Sequence, residues 1–127
     1  MINAYRASKK LPRVAIDAKL MQSAQEFAAY MAKTGKFSHT ADGREPWDRA
    51  GALGYVHRAF AENIAMRSGA VEYNGETLAR GFFEGWRDSP GHNANMLLPN
   101  VRDIGIGLHF DPPTATYYAV TVFGAKR

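Results

Sequence analysis

The sequence predicts an α+β domain, with helices first and a strand pair last. Apolar residues recur every three or four positions in two long segments, Leu20 to Met31 and Leu78 to Trp86. Residues 104–110 then switch to alternation, and a second apolar run follows at 117–123. Nowhere do strands and helices alternate as a βαβ fold requires.

Residues 2–10 read as a short helix ended by Leu11-Pro12, because a proline disfavours helical backbone before it. Asp17 is placed to cap the next helix, which runs to about Thr34. Leu20, Ala24, Phe27, Ala28 and Met31 form its single apolar stripe, and Gly35 supplies the left-handed residue that ends it. Asp42-Gly43 marks a turn in the loop 36–46, and Pro46 opens a short helix through Trp47, Ala50 and Leu53, closed by Gly54. Ala59 to Ala65 reads as extended, and Asn74-Gly75 breaks the chain again.

The next helix spans Glu76 to Asp88, with Leu78, Phe82 and Trp86 at intervals of one turn. Ser89-Pro90 reads as a cap and a first-turn proline for a helix over His92 to Leu97. Ile104, Ile106, Leu108 and Phe110 alternate with Gly105, Gly107 and His109, as in a half-buried strand whose polar side carries His109. Asp111-Pro112-Pro113-Thr114 connects it to a second strand at 117–123, so the two should pair antiparallel.

A chain of 127 residues is expected to form one domain over 1–127. Area scaling gives about 6,700 Å² exposed when folded, enough burial for a core without staples. The absence of cysteine excludes a disulfide framework, thiol catalysis, zinc fingers and iron–sulfur ligation. No uncharged stretch approaches the ~18 apolar residues of a membrane span. The N-terminus lacks a hydrophobic signal core, as expected for either a cytosolic protein or a mature or trimmed domain. The formal charge of +4 is uneven: residues 1–36 hold seven basic groups against Asp17 and Glu26, and the remainder is near neutral. Those lysines fall mostly on the wet side of an amphipathic helix, without interleaved aromatics or a groove-binding motif, so no nucleic-acid partner is expected.

Ile104-Gly105-Ile106-Gly107 lacks the third glycine of a dinucleotide fingerprint and sits inside a strand, so its glycines are read as sites of close backbone approach. No organic cofactor is expected. Walker, His-Glu-x-x-His and Gly-x-Ser-x-Gly motifs are absent, so any site joins separated segments. His39 and His92 stand at the edges of turns among small and polar residues. His92 falls in the first turn of its helix, where the macrodipole disfavours the imidazolium, and a neutral imidazole binds metal or acts as a base. Glu62, flanked by apolar residues, needs a partner if it is buried. His57, beside Arg58, and His109 read as surface residues. The candidate catalytic residues are therefore His39, Glu62 and His92.

These pieces together resemble the CAP superfamily of cysteine-rich secretory, antigen 5 and pathogenesis-related proteins, in its small bacterial SCP-like branch. The carrying residues are Asn3-Ala4-Tyr5-Arg6 with Leu11-Pro12, Phe37-Ser38-His39-Thr40 with Asp42-Gly43, and Ala61-Glu62-Asn63-Ile64-Ala65. Gly85-Trp86, Ser89 through Leu97, Asn100 to Gly107 and Phe123-Gly124 complete the set. The resemblance implies an α-β-α sandwich with a central antiparallel sheet and an open cleft. It further implies two histidines and two acidic residues in that cleft, able to hold zinc or another divalent cation. By motif the histidines fall on His39 and His92, the metal candidates, and the first glutamate on Glu62. The second glutamate's position is Ser89 here, with Asp88 and Glu84 the nearest carboxylates, and Ala61 replaces the usual glycine. Ser38, Glu62, Asn63, Asp88, Ser89 and Asn93 are the expected cleft lining.

Two imidazoles, a carboxylate and water match the ligand types of an open zinc site. The leading expectation is an exported module, secreted or in the cell envelope, that binds a small molecule, lipid or protein in the cleft. A hydrolase is the rival, with a metal-bound water or a Ser38 or Ser89 hydroxyl attacking a peptide or ester bond. Binding is favoured because no activated nucleophile is visible and one carboxylate is missing. A lipid or sterol carrier is the third class and needs an apolar groove.

Overall fold

A computed structural model describes residues 1–68 and 75–127. The exposed area of 6887 Å² matches the scaling expectation of about 6,700 Å². The chain runs α1 (Ile2–Ser8), β1 (Ala15–Ile16), α2 (Ala18–Thr34), α3 (Pro46–Ala52) and β2 (His57–Ser68), then α4 (Gly75–Arg87), α5 (Pro90–Met96), β3 (Asp103–Asp111) and β4 (Thr116–Lys126). The Asn of the expected Asn74-Gly75 break lies outside the described residues.

The local signals account for most of these elements. Asp17 accepts the amides of Lys19 and Leu20 at the start of α2, and Gly35 ends it at φ 71°. All five stripe residues of α2 are buried, as are Leu78, Phe82 and Trp86 of α4. The helix α1 stops at Ser8, two residues before the expected end, and Lys10 takes a left-handed φ of 60° ahead of Leu11-Pro12.

The sheet order is β1-β3-β4-β2. Pairing of β4 with β3 and with β2 is antiparallel, as expected for the last two strands. The two-residue β1 pairs parallel to β3, and its brevity left no periodic signal. On one face α2 and α3 cover a core that includes Phe27, Met31, Tyr118, Val120 and Val122. The other core joins α4 and α5 to Ile104, Ala119 and Phe123, with Ile2 and Tyr5 of α1 packed against it. Helices on both faces make the α-β-α sandwich, and the sheet is antiparallel apart from β1.

One face assignment is corrected. The glycines of β3, not its large apolar residues, meet the best-packed layer. A Cβ on Gly105 would strike the backbone of Leu20, and one on Gly107 would strike the backbone of Ala24 and lie 2.5 Å from the amide nitrogen of Gln25. The strand thus touches α2 directly, as the close-approach reading requires. Ile106, Leu108 and Phe110 point to the opposite face and stay 41–44% exposed.

Candidate functional site

Adjacent residues on β2 serve opposite layers, because successive side chains of a strand alternate faces. Glu62 pairs with Val122 and Asn63 with Thr121 across the sheet, so Glu62 points into the α2/α3 layer and Asn63 toward α5. The site forms around the outer edge of β2, where the two layers meet.

On the first side, Glu62 is almost wholly buried and both its oxygens are engaged. Oε1 lies 2.8 Å from Nδ1 of His39, and Oε2 accepts from Nη2 of Arg49 at 2.7 Å. A carboxylate only accepts, so Nδ1 of His39 carries the proton in that contact. The bond to Glu62 raises the His39 imidazole above the ordinary histidine range, against the opposing effect of its partial burial.

Arg49 is a hub that the sequence reading missed. It is 5% exposed, and its guanidinium carbon sits 3.4 Å from the ring centroid of Phe27. Nη1 donates to Asp42 (2.9 Å) and to the carbonyls of His39 (3.0 Å) and Arg44 (3.1 Å). One side chain therefore fixes both the Glu62 carboxylate and the segment that carries His39. The available signal was position: Arg49 lies one turn after Pro46 and beside Ala50, both on the buried face of α3.

On the second side, His92 lies in the first turn of α5. Ser89 occupies the capping position, yet its hydroxyl makes no cap bond and instead lies 3.1 Å from Nδ1 of His92. The pKa of His92 is lowered, first by burial and then by the nearby charge of His39. The expected direction is observed, but desolvation leads rather than the helix dipole. Asn63 donates to the His92 carbonyl at 3.0 Å, and Asn95 donates to the Glu62 carbonyl at 3.2 Å and to Oδ1 of Asn63 at 3.0 Å. Tyr5 donates to Oδ1 of Asn93 at 2.5 Å, and buried Arg6 binds the carbonyls of Met96 and Leu98, so α1 clamps the middle and the C-terminal end of α5.

Two expected lining residues stand apart from this network. Asp88 is exposed and pairs with the adjacent Arg87, and among the described residues neither Asp88 nor Glu84 bonds to a histidine. Among the described residues Ser38 makes no hydrogen bond to either imidazole. No group of three or more His, Cys, Asp or Glu able to hold a metal is present among the described residues. Both oxygens of Glu62 are committed, to His39 and to Arg49, so the carboxylate supports a histidine.

The apolar space lies elsewhere. A groove of about 530 Å³ is lined by Val14, Ile16, Phe83, Trp86, Ile106 and Leu108, among others, with Asn3, Arg13 and Thr121 its polar members. None of His39, Glu62 or His92 lines it. It lies between α1, β1, α4 and β3. No described helix is long and apolar enough to cross a membrane.

Comparison with known proteins identifies the family. The model of the Cysteine-rich secretory protein family, CAP, matches residues 1–123. This chain belongs to the CAP family. It is 29% identical over 108 residues to the uncharacterized protein YkwD of Bacillus subtilis, covering 84% of this chain and 39% of that protein. The CAP fold is shared with an outer surface protein of Borrelia burgdorferi at a TM-score of 0.84 and 22% identity, covering 99% and 87% of the two chains. An extracellular protein of Bacillus anthracis containing an SCP domain aligns at 0.81 with 23% identity, over 98% of this chain and 38% of that one. NaASP2, solved with Zn2+, aligns at 0.59 with 16% identity, over 90% and 60%.

Proposed function

We propose that this CAP domain is an exported binding module whose His39–His92 pair takes a divalent cation, zinc in the first instance. The observation that carries the reading is the matched support of the two rings. Each imidazole has Nδ1 within hydrogen-bond reach of a protein oxygen, Glu62 for one and Ser89 for the other. Metal-ligating histidines are commonly oriented by such a bond from the other ring nitrogen. With Nδ1–H given to the oxygen, Nε2 of each ring keeps its lone pair for a cation. With Glu62 committed to His39 and Arg49, the protein would supply two imidazoles, one fewer than the three protein ligands of the usual open zinc site, and water or a partner ligand would complete the shell. When bound, the cation would present its remaining positions to water or to an oxygen of the partner ligand. The structure with Zn2+ in a fold relative supports this choice of ion. Export accords with the outer-surface and extracellular relatives.

Zinc should raise the melting temperature of the wild type, and His39→Ala and His92→Ala should each abolish the rise. Equal shifts in all three proteins would refute the site. The serine form of the hydrolase reading loses ground, because Glu62 supports His39 while the Ser89 hydroxyl lies on His92, so among the described residues no serine–histidine–carboxylate relay forms.

The apolar groove favours a second reading, lipid carriage by a separate surface of the same domain. Its volume is that of a ligand site, and Arg13 stands among the lining residues to meet an acid headgroup. Displacement of a fluorescent fatty acid should be lost in Leu108→Asp and unchanged in His39→Ala. Retention in Leu108→Asp would overturn it.

A further inference from the structure

The two edges of the sheet are closed in different ways. At the β2 edge, outward carbonyls receive part-buried or buried donors: Glu62 from Asn95 at 3.2 Å, and Ile64 from the indole N–H of Trp86 at 3.2 Å. At the β3 edge, β1 covers only Asp103 and Ile104, and among the described residues no strand pairs with Ile106 to Asp111 on that side.

There the backbone is met by side chains of α2. The exposed Gln25 carboxamide donates to the Leu108 carbonyl at 2.9 Å and accepts the Leu108 N–H at 3.2 Å, which is the pair of bonds a neighbouring strand would make. The Ile106 N–H falls to the sulfur of Met21 at 3.1 Å, a weak acceptor. The two strand residues they guard, Ile106 and Leu108, line the apolar groove.

We propose that the open edge of β3 is a docking site for an extended peptide strand, with Gln25 as the removable guard. The guest would continue the line of β1 beside Ile106 to Asp111, six residues or about 20 Å of strand. Its main chain takes over the bonds held by Gln25 and Met21, and its alternate side chains enter the groove. This mode is β-strand addition, with main-chain bonds giving affinity and alternate pockets giving selectivity.

The occupant is a lone strand and not a second copy of this chain. The backbone of α2 lies directly against Gly105 and Gly107. Pairing two β3 edges, strands about 4.8 Å apart, would bring two α2 helices well inside the 8–10 Å that packed helices need. A peptide with alternating apolar residues carries no such helix. The proposal is independent of the histidine pair, and a lipid in the groove would compete with the guest's side chains for the space lined by Ile106 and Leu108.

The test uses a lysine-flanked synthetic peptide of alternating valine and threonine, and the same peptide N-methylated at alternate amides. Both are titrated into isotope-labelled wild type and Gln25→Ala and followed by amide chemical shifts. Gln25 is exposed, so its truncation leaves the core intact. The expected result is perturbation confined to residues 104–111 and the facing turns of α2, about fivefold tighter binding in Gln25→Ala, and no binding of the N-methylated peptide. Equal binding of the N-methylated peptide would overturn the proposal, because the groove alone would then hold it. So would unchanged affinity in Gln25→Ala, or the absence of perturbation at 104–111 in both proteins.

Discussion

Arg49 and Glu62 form a buried ion pair at 2.7 Å, and each residue is only 5% exposed. The pair joins α3 to β2, and through Glu62 it reaches the His39 ring. Removing one partner leaves the other as an uncompensated buried charge, which is far more destabilising than replacing both. Arg49→Met should therefore destabilise the fold by about 3–5 kcal/mol, read from urea denaturation. The double variant Arg49→Met with Glu62→Leu should recover a large part of that loss. Additive losses in the double variant would contradict the coupling.

The two histidines should titrate in a fixed order. His39 is raised by its bond to Glu62, so the stability it contributes is fully present below the ordinary value of about 6.5 and is lost as pH rises through its folded value. His92 is lowered, chiefly by burial, so it removes stability as pH falls from about 6.5 through its folded value. Proton NMR of the ring Cε1 signals, assigned by single variants, should show His39 protonating first as pH falls. Glu62→Gln should move His39 back toward the ordinary range. The reverse order would contradict the geometry.

The glycine face of β3 makes its own prediction. Gly107→Val places a branched side chain against the α2 backbone at Ala24 and Gln25, which cannot yield as a flexible side chain would. Destabilisation of about 3 kcal/mol is expected by chemical denaturation. Leu108→Thr, on the exposed side of the same strand, should change stability far less.

These contacts show why some of the fold was legible and some was not. The α2 stripe and both its caps are local patterns, and each acted where the sequence located it. The β3 alternation revealed the strand but reversed its better-packed side, because apolar mass is a poor guide where a helix backbone sits on glycine. His39 and His92 were singled out by their places at turn edges and Glu62 by the desolvation argument, which required a partner for it, and the motif pointed to the same three. Arg49 was hidden because a charged residue is read as wet unless its place on a buried helix face is weighed. Asn95 and Tyr5 act through tertiary contacts that no local spacing encodes.

Ser89 stands where the family pattern has a glutamate, and its hydroxyl meets Nδ1 of His92. If it orients that ring, Ser89→Ala should weaken zinc binding by about tenfold, the effect typical of a group behind a metal ligand. Calorimetric titration at pH 7.5 measures this. Asp88→Ala, whose carboxylate pairs with Arg87 instead, should leave the affinity unchanged.

Zinc-edge X-ray absorption of the protein with one equivalent of zinc tests the two-histidine site most directly. Two imidazole nitrogens at about 2.0–2.1 Å, completed by oxygen, are expected, with the same spectrum in Glu62→Gln and one imidazole lost in His92→Ala. A shell of oxygen ligands alone, or one unchanged in His39→Ala and His92→Ala, would contradict it.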